Sequence, residues 1–138
     1  MISIDRQHLA VMMEAGYIYM GMKRFKEARE LFEGLSVIAP DSEVPLVALG
    51  NVDFCEGKLA KAMRYYTNAL KIDSKSVFAR VYMGEALFFS GKRGKAMELL
   101  TAVAKEDRGG AGEFARALID AIKNGLVPAA GEKGGKAS

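Results

Sequence analysis

The sequence predicts an all-α fold: a right-handed α-solenoid of three helix-turn-helix repeats followed by a C-terminal capping helix. The main observation is that small and bulky apolar residues recur at a constant spacing of 34 residues. A fixed period of this length is typical of stacked helical hairpins. In register, the recurring residues are Gly16, Gly50 and Gly84; Ala28, Ala62 and Ala96; and Phe32, Tyr66 and Leu100.

These residue types and this period indicate the tetratricopeptide repeat. Placing the final proline of the repeat at Pro40 gives repeats 9–42, 43–76 and 77–110. The glycine and alanine positions let helices A and B of one repeat approach closely, because neither carries a large side chain. The bulky position is expected to fill the gap against helix A of the next repeat. The second repeat departs from the pattern at Asp53, where an aromatic residue is expected.

Glycines mark the boundaries between helices. Gly57 and Gly91 are expected to form the turns between helices A and B of the second and third repeats, and Gly21 the turn of the first. Three glycines between residues 109 and 112 predict a flexible joint after the third repeat.

An apolar stripe predicts one more helix after this joint. Phe114, Leu118 and Ile122 recur at helical spacing, which predicts an amphipathic helix over residues 113–124. This helix is expected to cap the exposed side of the last repeat. Residues 126–138 have little to bury and are predicted to be a disordered tail, so residues 1–125 are expected to form a single domain.

The composition points to a cytoplasmic protein. A formal net charge of +3, from 20 basic and 17 acidic residues, is too mild for an obligate nucleic-acid binder. The lone Cys55 excludes an intramolecular disulfide framework and suits a reducing compartment. The first residues lack the basic region of a signal peptide, and no apolar run is long enough to insert into a membrane.

No catalytic or metal site can be assembled from the sequence, and no cofactor is expected. His8 is the only histidine, and it precedes the first repeat as a surface or capping residue. No histidine lies near Cys55 in the sequence to activate its thiol. The glycines and lysines over residues 91–95 lack the spacing of a phosphate-binding loop, and no strand precedes them. The chain is therefore predicted not to be an enzyme.

Seven basic residues fall mainly on the second helices of repeats two and three. We interpret them as a solvated outer face, because the aromatic residues of a nucleic-acid platform are missing. The alternative is contact with nucleic acid, an anionic lipid or an acidic partner. The seven are Lys58, Lys61, Arg64, Lys71, Lys92, Arg93 and Lys95.

The predicted binding surface lies on helix A of each repeat. In this architecture positions 2, 5, 9 and 12 of the repeat line the concave groove, with position 13 at its margin. These positions also include Ala10, Val44, Cys55, Phe78 and Phe89. The nine residues expected to receive an apolar peptide, here named the helix-A strip, are Met13, Tyr17, Met20, Val47, Asn51, Phe54, Val81, Glu85 and Phe88.

The strip is apolar and rich in methionine and aromatic residues, which suits adaptable burial of apolar side chains. Asn51 is expected to hold the backbone of the bound peptide. The alternative is that individual strip residues pack inside the helical layers. The Lys, Asn and Arg clamp with which some tetratricopeptide domains grip the acidic C-termini of heat-shock chaperones is not matched. Its positions hold Met13, Tyr17, Ala48, Phe78 and Tyr82, and only Asn51 conforms.

The sequence resembles the class II chaperones of bacterial type III secretion, which keep hydrophobic translocator proteins soluble before export. Over residues 9–107 the resemblance is carried by Phe32-x-x-Leu35 with Pro40, by Leu49-Gly50 and Ala62-x-x-x-Tyr66, and by Met83-Gly84. It implies a protein partner that presents an apolar extended or amphipathic helical segment. Family members carry a longer helical segment before the first repeat, often used in dimerisation, whereas only eight residues precede the first repeat here. The sequence does not match that mode of dimerisation, and a homodimer is left open. The shorter start fits a chaperone of the secretion needle subunit.

Two functions therefore remain open. One is an export chaperone that covers an apolar segment of a secreted translocator or needle protein. The other is a general tetratricopeptide scaffold in a cytosolic or membrane-associated assembly. The two differ in what they bind, because a chaperone solubilises an aggregating partner whereas a scaffold binds a folded one.

Overall fold

The computed structural model describes residues 5–129, and these form seven α-helices with no strand among them. No helix within this range is long and apolar enough to cross a membrane. The helices are α1 (Arg6–Gly21), α2 (Phe25–Ile38), α3 (Val44–Cys55), α4 (Leu59–Ile72), α5 (Val77–Phe89), α6 (Arg93–Glu106) and α7 (Gly110–Lys123).

The helices group into two compact units. The first unit ends at Ser76 and contains α1 to α4, which are helices A and B of the first two repeats. The second unit begins at Val77 and contains α5, α6 and α7. The single domain expected over residues 1–125 stays a prediction.

Each repeat is closed by a bulky side chain seated on a glycine. A Cβ atom added to Gly16 would overlap the ring of Phe32, and one added to Gly50 would overlap the ring of Tyr66. The predicted close packing of helices A and B is thereby confirmed. The bulky residue covers the glycine of its own repeat, and Phe32 also lies in one core cluster with Val52 of α3, the next helix A, as expected.

The third repeat repeats this contact with a smaller residue. A Cβ atom added to Gly84 would lie 2.8 Å from Cδ2 of Leu100. The three alanines of the second series, at positions 28, 62 and 96, have no exposed surface. The positions that recur every 34 residues in the sequence are therefore the positions at which helices A and B contact each other.

Each unit has its own apolar core. Burial of such side chains supplies roughly 25 cal/mol per Å² of apolar surface removed from water. In the first unit the fully buried cluster consists of Met13, Ala28, Phe32, Leu35, Ala48, Leu49 and Val52. In the second unit it consists of Val81, Phe88, Ala96, Leu100, Val103, Ala111, Ala115, Leu118 and Ile122.

The turns between helices A and B share one backbone conformation. Gly57 and Gly91 have φ values of 80° and 89°, as expected for turn glycines. In the first repeat the equivalent residue is Lys23, with φ of 62°, and not the predicted Gly21, which ends α1. Lys23 therefore has a left-handed backbone conformation, although its Cβ atom makes this conformation less favourable than it is for glycine.

Replacing Lys23 with glycine is expected to raise the free energy of unfolding by about 0.5–1 kcal/mol. The left-handed backbone costs an L-residue about 1–2 kcal/mol, and glycine removes this cost while adding unfolded-state entropy. Urea denaturation measures the change. The matched control is Lys26→Gly within α2, which should destabilise by up to about 1 kcal/mol. Equal destabilisation by both substitutions would contradict the assignment of strain to Lys23.

The capping helix begins earlier than the sequence indicated. Helix α7 starts at Gly110, so two of the three glycines expected to form a flexible joint are helical. Asp107 explains the difference, because its Oδ2 accepts hydrogen bonds from the backbone nitrogens of Gly109 (3.1 Å) and Gly112 (2.7 Å). Gly112 also packs against the carbonyl oxygen of Asp107 so closely that a Cβ atom would overlap it. Gly112 therefore serves close packing, and Gly110 and Gly112 belong to the helix and not to a joint before it.

Helix α7 buries the stripe expected of a cap. Leu118 and Ile122 lie in the core of the second unit, and Phe114 is half-buried against it. Leu126, the first residue of the predicted tail, packs against the same core, and its backbone nitrogen donates to the carbonyl of Ala121 (2.9 Å). The predicted disorder of residues 130–138 lies outside the described residues.

Candidate partner-binding site

Four of the nine helix-A strip residues are buried. Met13 belongs to the core of the first unit, and Val81 and Phe88 belong to the core of the second. Val47 is also buried. Helix A is in contact with helices on its flanks, so these side chains are directed into the packing and offer little surface to a partner.

The other five strip residues retain accessible surface. Tyr17 is 41% exposed, which is unusual for a large aromatic side chain on a helix. The remaining four are half-buried: Met20, Asn51, Phe54 and Glu85. Accessible surface is therefore found at position 9 of all three repeats and at position 12 of the first two.

Tyr17 and Asn51 occupy equivalent positions and are joined by a hydrogen bond. The Nδ2 atom of Asn51 donates to the hydroxyl oxygen of Tyr17 at 3.0 Å. The hydroxyl of Tyr66 donates to Oδ1 of Asn51 at 2.6 Å. The ring of Tyr17 also lies 5.3 Å from the ring of Phe32, at 56° between their planes. These contacts hold the exposed tyrosine against α2 and α3, and Asn51 is itself bonded to Tyr66 of α4.

These two hydrogen bonds use only part of the hydrogen-bonding capacity of the Asn51 side chain. A side-chain amide has two N–H donors and a carbonyl oxygen with two acceptor sites. One donor and one acceptor site are used by the two tyrosines. The expectation that Asn51 holds a peptide backbone is untested, and the residual donor and acceptor are compatible with it.

Position 2 of the repeat provides further apolar surface. Val44 at the start of α3 is 40% exposed, and Phe78 at the equivalent place in α5 is 46% exposed. In the second unit Phe78 leads a row of rings, with Tyr82 at 6.0 Å from Phe78 and Phe114 at 5.8 Å from Tyr82. The row joins α5 to α7. The sequence pattern assigned Phe114 to the cap alone, because nothing in its local spacing indicates a ring on another helix.

Glu85 is the acidic residue of the helix-A strip and is half-buried in α5. Burial raises the pKa of this carboxyl from 4.5 to about 7. Burial, followed by the charge of Glu85, also raises the pKa of Tyr82 above 10.0. In the described part of the second unit, no ion pair compensates the carboxylate of Glu85. The surface near Glu85 is thus more apolar at neutral pH than the sequence suggests.

Between residues 5 and 129, no three His, Cys, Asp or Glu side chains are arranged so that they could hold a metal ion. His8 lies at the first turn of α1, where Asp5 caps the helix by accepting from the backbone nitrogen of His8 at 2.8 Å. The accessible side chains of the helix-A strip carry aromatic rings, a thioether, an amide and a carboxyl group.

Two family models match the chain, and both describe the tetratricopeptide repeat. One matches residues 9–41 and the other residues 55–119, which together make up more than two thirds of the chain. The first match corresponds closely to the repeat predicted over 9–42. No curated protein matches the chain in sequence.

Solved structures of peptide-binding proteins share this fold. The translocator chaperone SycD of Yersinia enterocolitica, in complex with a peptide of the translocator YopD, matches with a TM-score of 0.69 at 17% identity, covering 89% of this chain and 98% of that chain. PcrH of Pseudomonas aeruginosa, in complex with the chaperone binding region of PopD, matches with a TM-score of 0.68 at 15% identity, covering 90% and 98%.

A third similar structure is not described as a secretion chaperone. The first tetratricopeptide domain of Spaghetti (RPAP3), bound to an HSP90 peptide, matches with a TM-score of 0.68 at 21% identity, covering 89% of this chain and 99% of that chain. At these identities the likeness shows the fold. The predicted fold class, an all-α solenoid of tetratricopeptide repeats, is confirmed.

Proposed function

Because this chain belongs to the tetratricopeptide repeat proteins, we propose that it is a non-catalytic, protein-binding chaperone of the cytosol. It holds an apolar segment of a secreted translocator or needle protein on the accessible groove positions of its helices A. The partner segment is extended or an amphipathic helix. The bound segment is thereby kept from aggregating before export.

The observation that carries this proposal is the exposed aromatic surface at groove positions in both units. Tyr17 in α1 and Phe78 in α5 leave 41% and 46% of their surface accessible. Exposed aromatic side chains are enriched in the energetic centres of interfaces. A helical repeat that bound nothing would gain solubility from polar residues at these positions.

The polar contacts of Tyr17 support a binding role for its ring. Its hydroxyl accepts from Asn51, and Asn51 in turn accepts from Tyr66. A ring held in one orientation loses less conformational entropy when a partner covers it. The conformational entropy of the Tyr17 ring is therefore already reduced before the partner binds.

The similar structures favour a peptide as the ligand. SycD and PcrH are each described in complex with a segment of a translocator. The domain of Spaghetti is bound to a peptide of sequence SRMEEVD, in which three of the last four residues are acidic. This chain has Met13 and Phe78 where a carboxylate clamp needs basic side chains. The groove positions are thus suited to apolar side chains and not to an acidic C-terminus.

Co-expression with candidate secreted proteins from the same organism tests the proposal. We expect one of them to aggregate when produced alone and to stay soluble in a stable complex with the chain. The control is co-expression with a variant that carries both Tyr17→Ala and Phe78→Ala. A partner that is soluble and folded on its own, and that binds the chain in that state, would favour the scaffold function.

Removing either exposed ring should weaken partner binding by about 2 kcal/mol, which is roughly 30-fold in Kd. Tyr17→Ala and Phe78→Ala are the two variants, and calorimetric titration with the purified partner segment measures the effect. The matched control is Ile18→Ala, which removes an apolar side chain that is 62% exposed on α1 but does not occupy a groove position. Equal weakening by Ile18→Ala would contradict the assignment of the site.

A further inference from the structure

A polar cleft of about 380 Å³ lies on the first unit, away from the groove positions of helices A. Its walls come from α2, α3 and α4. Three of its six lining residues are basic and one is acidic, so the cleft has a net positive charge. The lining residues are Arg29, Asp53, Lys61, Arg64, Tyr65 and Asn68.

One wall of the cleft is held in place by a partly buried ion pair. The Nη2 atom of Arg29 donates to Oδ1 of Asp53 at 2.7 Å and to Oε1 of Glu56 at 2.8 Å. The side chain of Asp53 is only 1% exposed, and its Oδ2 has no hydrogen-bond partner within the described part of the chain. Asp53, which departs from the repeat pattern, therefore serves to orient Arg29 with the help of Glu56.

The other wall carries basic side chains whose charge is not compensated. Lys61 and Arg64 are exposed on α4 and form no ion pair with any described residue. Tyr65 and Asn68 add a hydroxyl and an amide to the same face of the helix. Since Arg29 is already bound to two carboxylates, Lys61 and Arg64 are the free positive charges of the cleft.

The spacing of these groups indicates what they can bind. Positions 61 to 68 extend over two helical turns, about 10 Å along α4 at 1.5 Å per residue. A single phosphate group is much shorter than this row. An extended peptide of about three residues covers the same distance, because it advances about 3.3–3.6 Å per residue. The row is therefore suited to successive carboxylates of a chain.

We propose that this cleft binds an acidic stretch of a protein partner, with Lys61 and Arg64 pairing with its carboxylates. Tyr65 and Asn68 add neutral hydrogen-bond donors. Lys61 and Arg64, which the sequence pattern assigned to a solvated outer face, thereby receive a binding role. It adds a second, charge-driven contact to the apolar one at the groove, and it does not depend on the groove function because none of the lining residues belongs to the helix-A strip.

A labelled tetraglutamate peptide tests the cleft with the full-length chain. Fluorescence anisotropy should show binding that weakens steeply as salt rises, because exposed charges are screened. A tetraglutamine peptide should not bind. Inorganic phosphate at the same concentration should not displace the tetraglutamate. Displacement by phosphate at a lower concentration than the peptide needs would overturn the proposal in favour of a phosphate site.

Charge reversal separates the cleft from the general positive charge of the protein. Lys61→Glu combined with Arg64→Glu should weaken tetraglutamate binding at least about tenfold. The matched control reverses Lys92 and Arg93 at the start of α6, which changes the net charge equally outside the cleft. Equal loss in both double variants, or no loss in the first, would overturn the proposal. Lys61→Gln with Arg64→Gln should give an intermediate loss, and its circular dichroism spectrum checks the fold.

Failure of this test leaves the groove function intact, and the reverse also holds. The apolar partner segment should bind the Lys61→Glu, Arg64→Glu variant with unchanged affinity when it carries no acidic residues. Tyr17→Ala should leave tetraglutamate binding unchanged. If Tyr17→Ala abolished tetraglutamate binding, the peptide would be bound at the groove, and the cleft would not be its site.

Discussion

Replacing Gly50 with alanine is expected to lower the free energy of unfolding by about 2–3 kcal/mol, although alanine is the better helix former. The added Cβ atom would overlap the ring of Tyr66, which has no exposed surface and no free space to move into. Helices α3 and α4 would have to separate, or the ring would have to leave its rotamer. A fall in Tm on the order of 10 °C should accompany this loss.

Gly34 is the matched control for this prediction. It also lies inside a helix, but a Cβ atom added there meets nothing within 4 Å. Gly34→Ala should therefore raise stability by up to about 1 kcal/mol through helix propensity alone. Opposite signs for the two substitutions are the expected result of a denaturant titration. If Gly50→Ala also stabilised the protein, the glycine would not be a packing site.

Replacing Glu85 with glutamine is expected to stabilise the protein by up to about 3 kcal/mol at pH 8, and by very little at pH 4. The unfolded chain releases the Glu85 proton near pH 4.5, whereas burial raises the pKa in the folded chain to about 7. The folded state thus binds the proton more tightly, so stability falls as pH rises between these two values. Above pH 7 the full cost of the buried carboxylate is present, and glutamine removes it.

Thermal unfolding of both proteins between pH 4 and pH 8 measures this difference. Glu98→Gln on the exposed face of α6 is the control for the loss of one carboxyl group. The variant and the natural chain should have similar stability at pH 4 and diverge steadily up to pH 7. A stability difference between them that is constant across this range would contradict burial of the Glu85 carboxylate.

The helical repeat could be predicted from the sequence because its packing is periodic. A glycine at one position requires a bulky neighbour at another, and both recur with the same spacing in Gly16 with Phe32 and Gly50 with Tyr66. A pattern that repeats three times is visible without knowledge of the contacts. The six helices of the three repeats and their pairing follow from this register, whereas α7 was predicted from its own apolar stripe.

Contacts that occur once were not predictable in the same way. Asp53 was noted only as a departure, because its partner Arg29 lies 24 residues earlier on another helix. The left-handed turn at Lys23 could not be predicted, because lysine does not favour this backbone conformation. The early start of α7 depends on the carboxylate of Asp107 reaching Gly112. Each of these depends on the geometry of a single contact.

The candidate site was only partly predictable for a related reason. The repeat register selects the face of helix A, but Met13 and Val47 on that face are buried whereas Tyr17 is exposed. Which residues remain accessible depends on how the flanking helices pack, and the local sequence does not encode this. The binding role of the whole strip stays a prediction.

Methyl NMR of the methionines tests most directly whether the groove positions bind the partner. Met20 lies on the helix-A strip and is half-buried, whereas Met22 is 56% exposed at the end of the same helix and off the groove. On titration with the apolar partner segment, we expect the Met20 methyl signal to shift or broaden and the Met22 signal to stay in place. A shift confined to Met22, with Met20 unaffected, would contradict binding at the groove.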